Sequence, residues 1–162
     1  MDDIEAIRSQ YRPTRITTLF VGESAPASGA FFYKGDTSMA RNMKAAIESA
    51  GLGGSGNFLD DFKARGWYLD DLVLTPINKR TQAQKKVEHR VAKPRLALRI
   101  AEYRPLAIVS LLYAIADIVK AAADKAGLDT PFYRVPFPGN GQQKRFKAEM
   151  ARILPMLPRL PG

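Results

Sequence analysis

Residues 15–22 have the sequence Arg15-Ile-Thr-Thr-Leu-Phe-Val-Gly22, a β-branched and apolar run that ends in glycine. Such a run is typical of a buried strand. The terminal glycine lets the chain turn sharply as it leaves the sheet. We therefore predict a first strand here, and the loop that follows it is the first place to look for function.

The rest of the chain alternates between helical and strand patterns. Besides residues 15–22, the predicted strands are residues 68–75, 106–112 and 132–135. The predicted helices are residues 36–51, 57–66, 82–103, 113–126 and 142–154. We divide residues 82–103 into two helices at Pro94, because proline is favoured in the first turn of a helix and breaks its interior. Strands that alternate with helices indicate a three-layer α/β/α fold with a four-stranded parallel sheet, and we predict one domain over residues 1–162.

Composition restricts the classes of function. The chain has no cysteine, which excludes disulfides, thiolate-bound zinc, iron–sulfur clusters and cysteine nucleophiles. Its acidic start lacks a basic flank followed by an apolar run, and no stretch approaches about 18 uninterrupted apolar residues. We therefore expect a cytoplasmic, monomeric protein with no metal, no cofactor and no membrane contact. Its formal charge of +9 suits a phosphate-rich partner such as DNA.

The positive charge is concentrated between residues 79 and 99, where Glu88 is the only acidic residue. We predict that this segment faces phosphates, and a solvated face without a partner is the alternative. The predicted DNA contacts in it are Lys79, Arg80, Lys85, Lys86 and Arg90. His89 has no second histidine or acidic cluster near it in sequence, and we interpret it as a solvated surface residue.

Two adjacent carboxylates, Asp70 and Asp71, follow Tyr68 and Leu69 in the second predicted strand. Neighbouring residues of a strand point to opposite faces, so these two are not expected to work as a catalytic pair. We interpret them as capping or surface residues.

The loop Gly22-Glu-Ser-Ala-Pro-Ala-Ser-Gly29 leaves the first strand at its carboxyl end, where open parallel sheets bind ligands. Glu23 and Ser24 supply a carboxylate and a hydroxyl, and Pro26 stiffens the turn. Three aromatic residues follow: Phe31, Phe32 and Tyr33. Core packing explains one or two of them, and we expect at least one to be a wall for a flat ligand, because aromatic faces stack on bases. The loop has neither the P-loop nor the dinucleotide-binding spacing, which excludes those two enzyme classes.

Phe20-Val-Gly-Glu-Ser-Ala-Pro-Ala27 with Phe31-Phe-Tyr33 resembles the first motif of the uracil-DNA glycosylase superfamily, in which a Gly-Glu-Ala-Pro-Gly turn leads to a base-stacking phenylalanine. Three further segments are similar to later motifs of that family and occur in the same order. They are Leu72-Val-Leu-Thr-Pro-Ile-Asn-Lys79, Arg104-Pro-Leu-Ala-Ile-Val-Ser-Leu-Leu112 and Tyr133-Arg-Val-Pro-Phe-Pro-Gly-Asn-Gly141.

The resemblance implies a role for each matched residue in excising a damaged base, uracil or a deaminated purine, from DNA. The catalytic residues would be Glu23, Ser24 and Asn78. Glu23 would orient water or meet a base edge, Asn78 would hydrogen-bond the base, and the backbone N–H groups around Ser24 and Ala25 would receive the negative charge of the leaving base. The base pocket would consist of Gly22, Ala25, Pro26, Phe31, Phe32 and Tyr33, with Phe32 as the first choice for stacking. The loop after the fourth strand and the helix that follows would grip the DNA through Pro136, Pro138, Gly139, Asn140, Gln142, Lys144 and Arg145.

The sequence departs from the family pattern at the end of the fourth predicted strand, where Val135 occupies the position of the histidine that steadies the leaving base. Three functions therefore remain open. The protein excises a damaged base, or it is a DNA-binding module of the same fold without excision, or it acts on a free nucleobase compound.

Overall fold

The computed structural model describes residues 3–54 and 56–160 and has an α/β architecture. One four-stranded sheet has the strand order β2-β1-β3-β4, and all its pairs are parallel. The strands are β1 Thr18–Gly22, β2 Trp67–Asp71, β3 Ala107–Ser110 and β4 Phe132–Arg134. The predicted α/β class and four-stranded parallel sheet are confirmed.

Six helices surround the sheet in the described part of the chain. They are α1 Ile4–Gln10, α2 Ser38–Ser49, α3 Phe58–Ala64, α4 Gln82–Tyr103, α5 Tyr113–Lys125 and α6 Gln143–Ile153. Helix α4 packs against α5, and α2 packs against α6. Right-handed crossovers place these pairs on opposite faces, because the chain moves one way from β1 to β2 and the other way from β2 to β3 and β4. None of the described helices is both long enough and apolar enough to cross a bilayer.

Helix α1 has no counterpart among the predicted elements. Its N-cap is Asp3, whose carboxylate accepts hydrogen bonds from the backbone N–H groups of Glu5 and Ala6. Seven residues are too few to show a clear helical period, which is why the pattern did not reveal it. The helix brings Arg8 into the protein interior.

Helix α4 is continuous through Pro94, so the predicted division into two helices was wrong. A proline inside a helix removes one hydrogen bond, here the one to the carbonyl of Arg90. Pro94 lies on the exposed side, where solvent can satisfy that carbonyl and where long helices bow outward. Leu96 and Ile100 are fully buried on the opposite side and hold the second half of the helix against the core.

Strand β2 ends at Asp71 and not at Thr75 as predicted, because its partner strand turns away at Gly22. Hydrogen bonding nevertheless continues into the two loops. The N–H of Leu72 donates to the Gly22 carbonyl at 2.8 Å, and the N–H of Val73 donates to the Glu23 carbonyl at 2.9 Å. The loops that leave β1 and β2 are therefore joined at their bases.

Candidate functional site

The carboxyl ends of the parallel strands lie at one edge of the sheet, so the loops after β1, β2 and β4 leave at the same edge. Two side-chain contacts join the first two loops. The N–H of Ile77 donates to Ser24 Oγ at 3.3 Å, and the N–H of Ala27 donates to Asn78 Oδ1 at 3.0 Å. Ser24 and Asn78 are thereby brought together. The Asn78 side-chain oxygen accepts the hydrogen bond from Ala27. The side chain is exposed, so its NH₂ group remains for a ligand.

His89 lies beside Glu23, with 2.8 Å between His89 Nε2 and Glu23 Oε2. The two side chains are only 12% and 19% exposed. The interpretation of His89 as a solvated surface residue was therefore wrong. This contact fixes one oxygen of the Glu23 carboxylate.

The sequence did contain a signal for the position of His89. His89, Ala92, Leu96 and Ile100 are spaced by three or four residues, and the last three are buried. That spacing places all four on one face of a helix. A histidine on the core-facing side of α4, near its first turns, has to lie against the sheet edge and not in solvent.

The three aromatic residues after the loop are in the core. Phe31, Phe32 and Tyr33 are at most 4% exposed. The ring of Phe32 lies 5.0 Å from that of Tyr33 and 5.4 Å from that of Phe62, measured between centroids. The Tyr33 hydroxyl exchanges hydrogen bonds with the backbone of Leu69. None of the three rings presents a face to a ligand in this structure, because the run anchors the loop to the core.

Glycine is required at position 22 because the side chain of Asp71 lies close to its Cα, and not because of its backbone angles. A Cβ at this position would lie 2.7 Å from Oδ1 of Asp71, its neighbour at the end of β2. Asp71 is held in place by Arg8, so it cannot move aside freely. Only a residue without a side chain therefore fits at position 22, where the loop leaves β1.

Asp70 and Asp71 are buried, so their assignment to the surface was wrong. Strand β2 is an edge strand, and Arg8 approaches both carboxylates from α1. Its guanidinium lies 3.6 Å from Asp70 and 3.3 Å from Asp71. Arg99 of α4 adds a contact of 2.9 Å to Asp70, and the hydroxyl of Tyr103 lies 3.5 Å from the same carboxylate. These residues form a buried ionic cluster that supports the end of β2.

Burial raises the pKa of Asp71 from 3.8 to about 6, with a smaller contribution from the charge of Asp70, although Arg8 acts in the opposite direction. A folded-state value above the unfolded one means that the folded chain binds this proton more tightly. The contribution of Asp71 to the free energy of unfolding therefore falls as the pH rises from about 4 to about 6.

The basic residues predicted to contact DNA lie on the loop before α4, on its first turns and at the start of α6. Within residues 3–54 and 56–160 these side chains form no ion pair, and all but the half-buried Lys85 are exposed: Lys79, Arg80, Lys85, Lys86, Arg90, Lys144 and Arg145. Arg145 lies over the ring of Tyr113, 5.5 Å from its centroid.

The loop after β4 is only partly available to a partner. Pro136 and Pro138 are buried, whereas Gly139 is half-buried and Asn140 and Gln142 are exposed. The loop rests on α2 through the Ser38 hydroxyl, which donates to the Pro138 carbonyl at 3.4 Å. Val135 is fully buried, and its N–H donates to Ser110. This loop therefore offers its tip, and not its prolines, to a ligand.

No cluster of three or more histidine or acidic residues suited to a metal occurs among the residues that the structure describes. A cavity of about 500 Å³ lies away from the site, between the C-terminal ends of α2 and α3 and the segment that follows α6.

The sequence matches no protein-family model and no curated protein.

Proposed function

We propose that the protein binds DNA at the carboxyl edge of its sheet and there hydrolyses the N-glycosidic bond of a damaged base, as in DNA repair. The observation that carries this proposal is the Glu23–His89 pair at the end of β1, in a loop that Asn78 contacts through Ala27. A carboxylate fixed by a neighbouring histidine is suited to act as a general base. We place the activity in the cytoplasm, with which a chain that has no cysteine is compatible.

In this mechanism Glu23 Oε1 accepts a proton from a water while His89 holds Oε2. The water oxygen forms a bond to the sugar C1′ as the N-glycosidic bond breaks, and the electron pair of that bond leaves with the base. The N–H groups of Ser24 and Ala25 donate to no other group in the described ranges, so they are available to stabilise the base anion. The NH₂ group of Asn78 would donate to a carbonyl of the base.

The Glu23→Gln variant tests the chemical step. We expect wild-type protein to leave alkali-labile sites in oligonucleotides that carry uracil, hypoxanthine or xanthine, in single or double strands. Glu23→Gln should reduce the rate at least about 100-fold, because an amide cannot accept the proton. DNA affinity should stay within about twofold of wild type, since the carboxylate contacts no phosphate. Glu48→Gln, an exposed carboxylate of α2, is the matched control and should retain full activity.

A second candidate, a DNA-binding module without excision, is favoured by two observations. The aromatic rings that were predicted to stack on a base are buried. Val135 stands where the uracil-DNA glycosylase superfamily has the histidine that steadies the leaving base. If wild-type protein binds DNA but ignores every damaged base tested, the module is the better account and the catalytic role of Glu23 is withdrawn.

Binding itself should depend steeply on salt. Each phosphate contact lowers log K by roughly 0.9 per tenfold increase in salt. The triple variant Lys85→Glu, Lys86→Glu and Arg90→Glu should weaken binding by a similar factor for all sequences, because phosphate contacts do not distinguish bases. The measurement is fluorescence anisotropy at several salt concentrations.

The control variant changes the net charge equally but away from the site, with Lys44→Glu, Lys63→Glu and Lys125→Glu on α2, α3 and α5. An equal loss of affinity in the two triple variants would contradict a specific basic surface. Absence of binding by wild-type protein at low salt would contradict DNA as the partner.

A further inference from the structure

Helix α4 has an apolar stripe whose side chains are exposed in the described chain. The α4 stripe consists of Val87, Val91, Pro94 and Leu98, and their spacing of four, three and four is that of coiled-coil core positions. Val87 is 47%, Val91 52% and Leu98 74% exposed, and Pro94 is also exposed. The buried residues Leu96 and Ile100 lie on the opposite face, so the stripe points away from the core. Removal of such a stripe from contact with water is favourable.

We propose that the α4 stripe is the interface between two copies of this chain, whose α4 helices pair antiparallel across a two-fold axis. The stripe is symmetric about its own centre. When one helix is reversed, Val87 faces Leu98 of the second copy, and Val91 faces Pro94 of the second copy. A closed two-fold dimer needs such a self-complementary patch.

The charges beside the stripe have the same symmetry. Glu88 and Arg95 follow Val87 and Pro94 directly, on the same flank of the helix. They are seven residues apart, about 10 Å along one helix, which is too far for an ion pair within the chain. Neither forms an ion pair with any residue in the described ranges. In the antiparallel pair each Glu88 faces Arg95 of the second copy, so two ion pairs flank the stripe.

Each of the other arrangements places at least one flanking charge against a like charge. A parallel pair of helices would place Arg90 of one copy beside Arg95 of the other, which is repulsive. An anionic membrane or an acidic helix would attract Arg90 and Arg95 but would be repelled by Glu88 on the flank of the stripe. Composition led us to expect a monomer, but the stripe was not visible in the composition. The dimer does not depend on the proposed function, because none of the side chains that would form it is among the named DNA contacts.

Sedimentation equilibrium of the full chain tests the dimer. Wild-type protein should reach twice the monomer mass of 17.9 kDa at high micromolar concentration. Leu98→Glu should weaken association at least about 30-fold, because it places a charge in the apolar interface, and it should leave the fold intact since Leu98 is 74% exposed. Met156→Glu, at a half-exposed apolar residue elsewhere, should associate like wild type.

Exchanging the flanking charges identifies the arrangement. Glu88→Arg and Arg95→Glu should each weaken the dimer by roughly tenfold, because each variant turns two attractive contacts into repulsive ones. The double variant Glu88→Arg with Arg95→Glu should restore the wild-type dissociation constant. Only an antiparallel pair of identical helices predicts this restoration.

The proposal is overturned if wild-type protein is a monomer at the highest concentration, or if Leu98→Glu dimerises normally. Failure of the double charge exchange to restore association overturns the antiparallel arrangement. Vesicles with and without phosphatidylserine test whether an anionic membrane covers the stripe instead. Binding of monomeric wild-type protein to the anionic vesicles, lost in Leu98→Glu, would assign the stripe to a membrane and overturn the dimer.

Discussion

Replacement of Arg8 by methionine should destabilise the protein by about 3–5 kcal/mol at pH 8, because it leaves two buried carboxylates without their shared cation. Arg8 is 3% exposed and contacts both Asp70 and Asp71. Methionine keeps much of the side-chain volume, so the loss reports charge more than packing. The measurement is the free energy of unfolding from urea titration.

The pH dependence of this loss separates electrostatics from packing. The pKa of Asp71 is already raised to about 6 by burial, and loss of the opposing Arg8 charge raises it further. The folded variant can therefore relieve the unpaired charge by binding a proton, which it does more fully at pH 5 than at pH 8. We expect the destabilisation to be clearly smaller at pH 5.

Two controls complete this experiment. Arg12→Met removes an exposed partner of Glu102 and should cost less than about 1 kcal/mol. Adding Asp71→Asn to Arg8→Met should recover part of the loss at pH 8, since it removes one unpaired charge. Equal destabilisation by Arg8→Met at pH 5 and pH 8 would show that the guanidinium acts through packing alone.

Phe32→Ala should destabilise the protein by about 3–5 kcal/mol, which is the usual cost of removing a buried aromatic ring. The ring fits among Tyr33, Phe58 and Phe62, and it is 4% exposed. DNA affinity of the folded variant should be unchanged at a temperature well below its Tm. The measurements are urea denaturation and anisotropy on the same preparation.

Phe137→Ala is the matched control for Phe32→Ala. Phe137 is 44% exposed at the loop after β4, so its truncation should change stability by at most about 0.5 kcal/mol. A small stability change in Phe32→Ala together with weaker capture of a damaged base would reverse our conclusion and return Phe32 to the base pocket.

The sequence predicted the sheet because strand patterns are local. The apolar runs at β1 and β3 can be buried only inside a sheet, and the helical periods between them impose parallel crossovers. Pro94 was misjudged because propensity describes an isolated helix, whereas packing of Leu96 and Ile100 outweighs one lost hydrogen bond.

The candidate site was harder to predict, because its partners are distant in sequence. Glu23 and Asn78 could be placed from the loops that hold them, but the contact of Glu23 with His89 joins residues 66 positions apart. Likewise, Arg8 reaches Asp71 across 63 positions from a helix too short to show a period. A run of three aromatics carries no mark that tells a stacking wall from a core anchor, and burial decided it.

Because Gly22 has no side chain, positions 8, 22 and 71 depend on one another during evolution. Asp71 Oδ1 fills the space that a Cβ at position 22 would need, and Arg8 holds Asp71 there. An alanine at position 22 is therefore compatible only with a smaller residue at 71, and the loss of Asp71 in turn removes one of the carboxylates that keep an arginine at position 8 buried. Among diverged relatives we expect these three positions to change together or not at all. Arginine, glycine and aspartate at these spacings would thus identify a relative whose overall sequence has drifted beyond recognition.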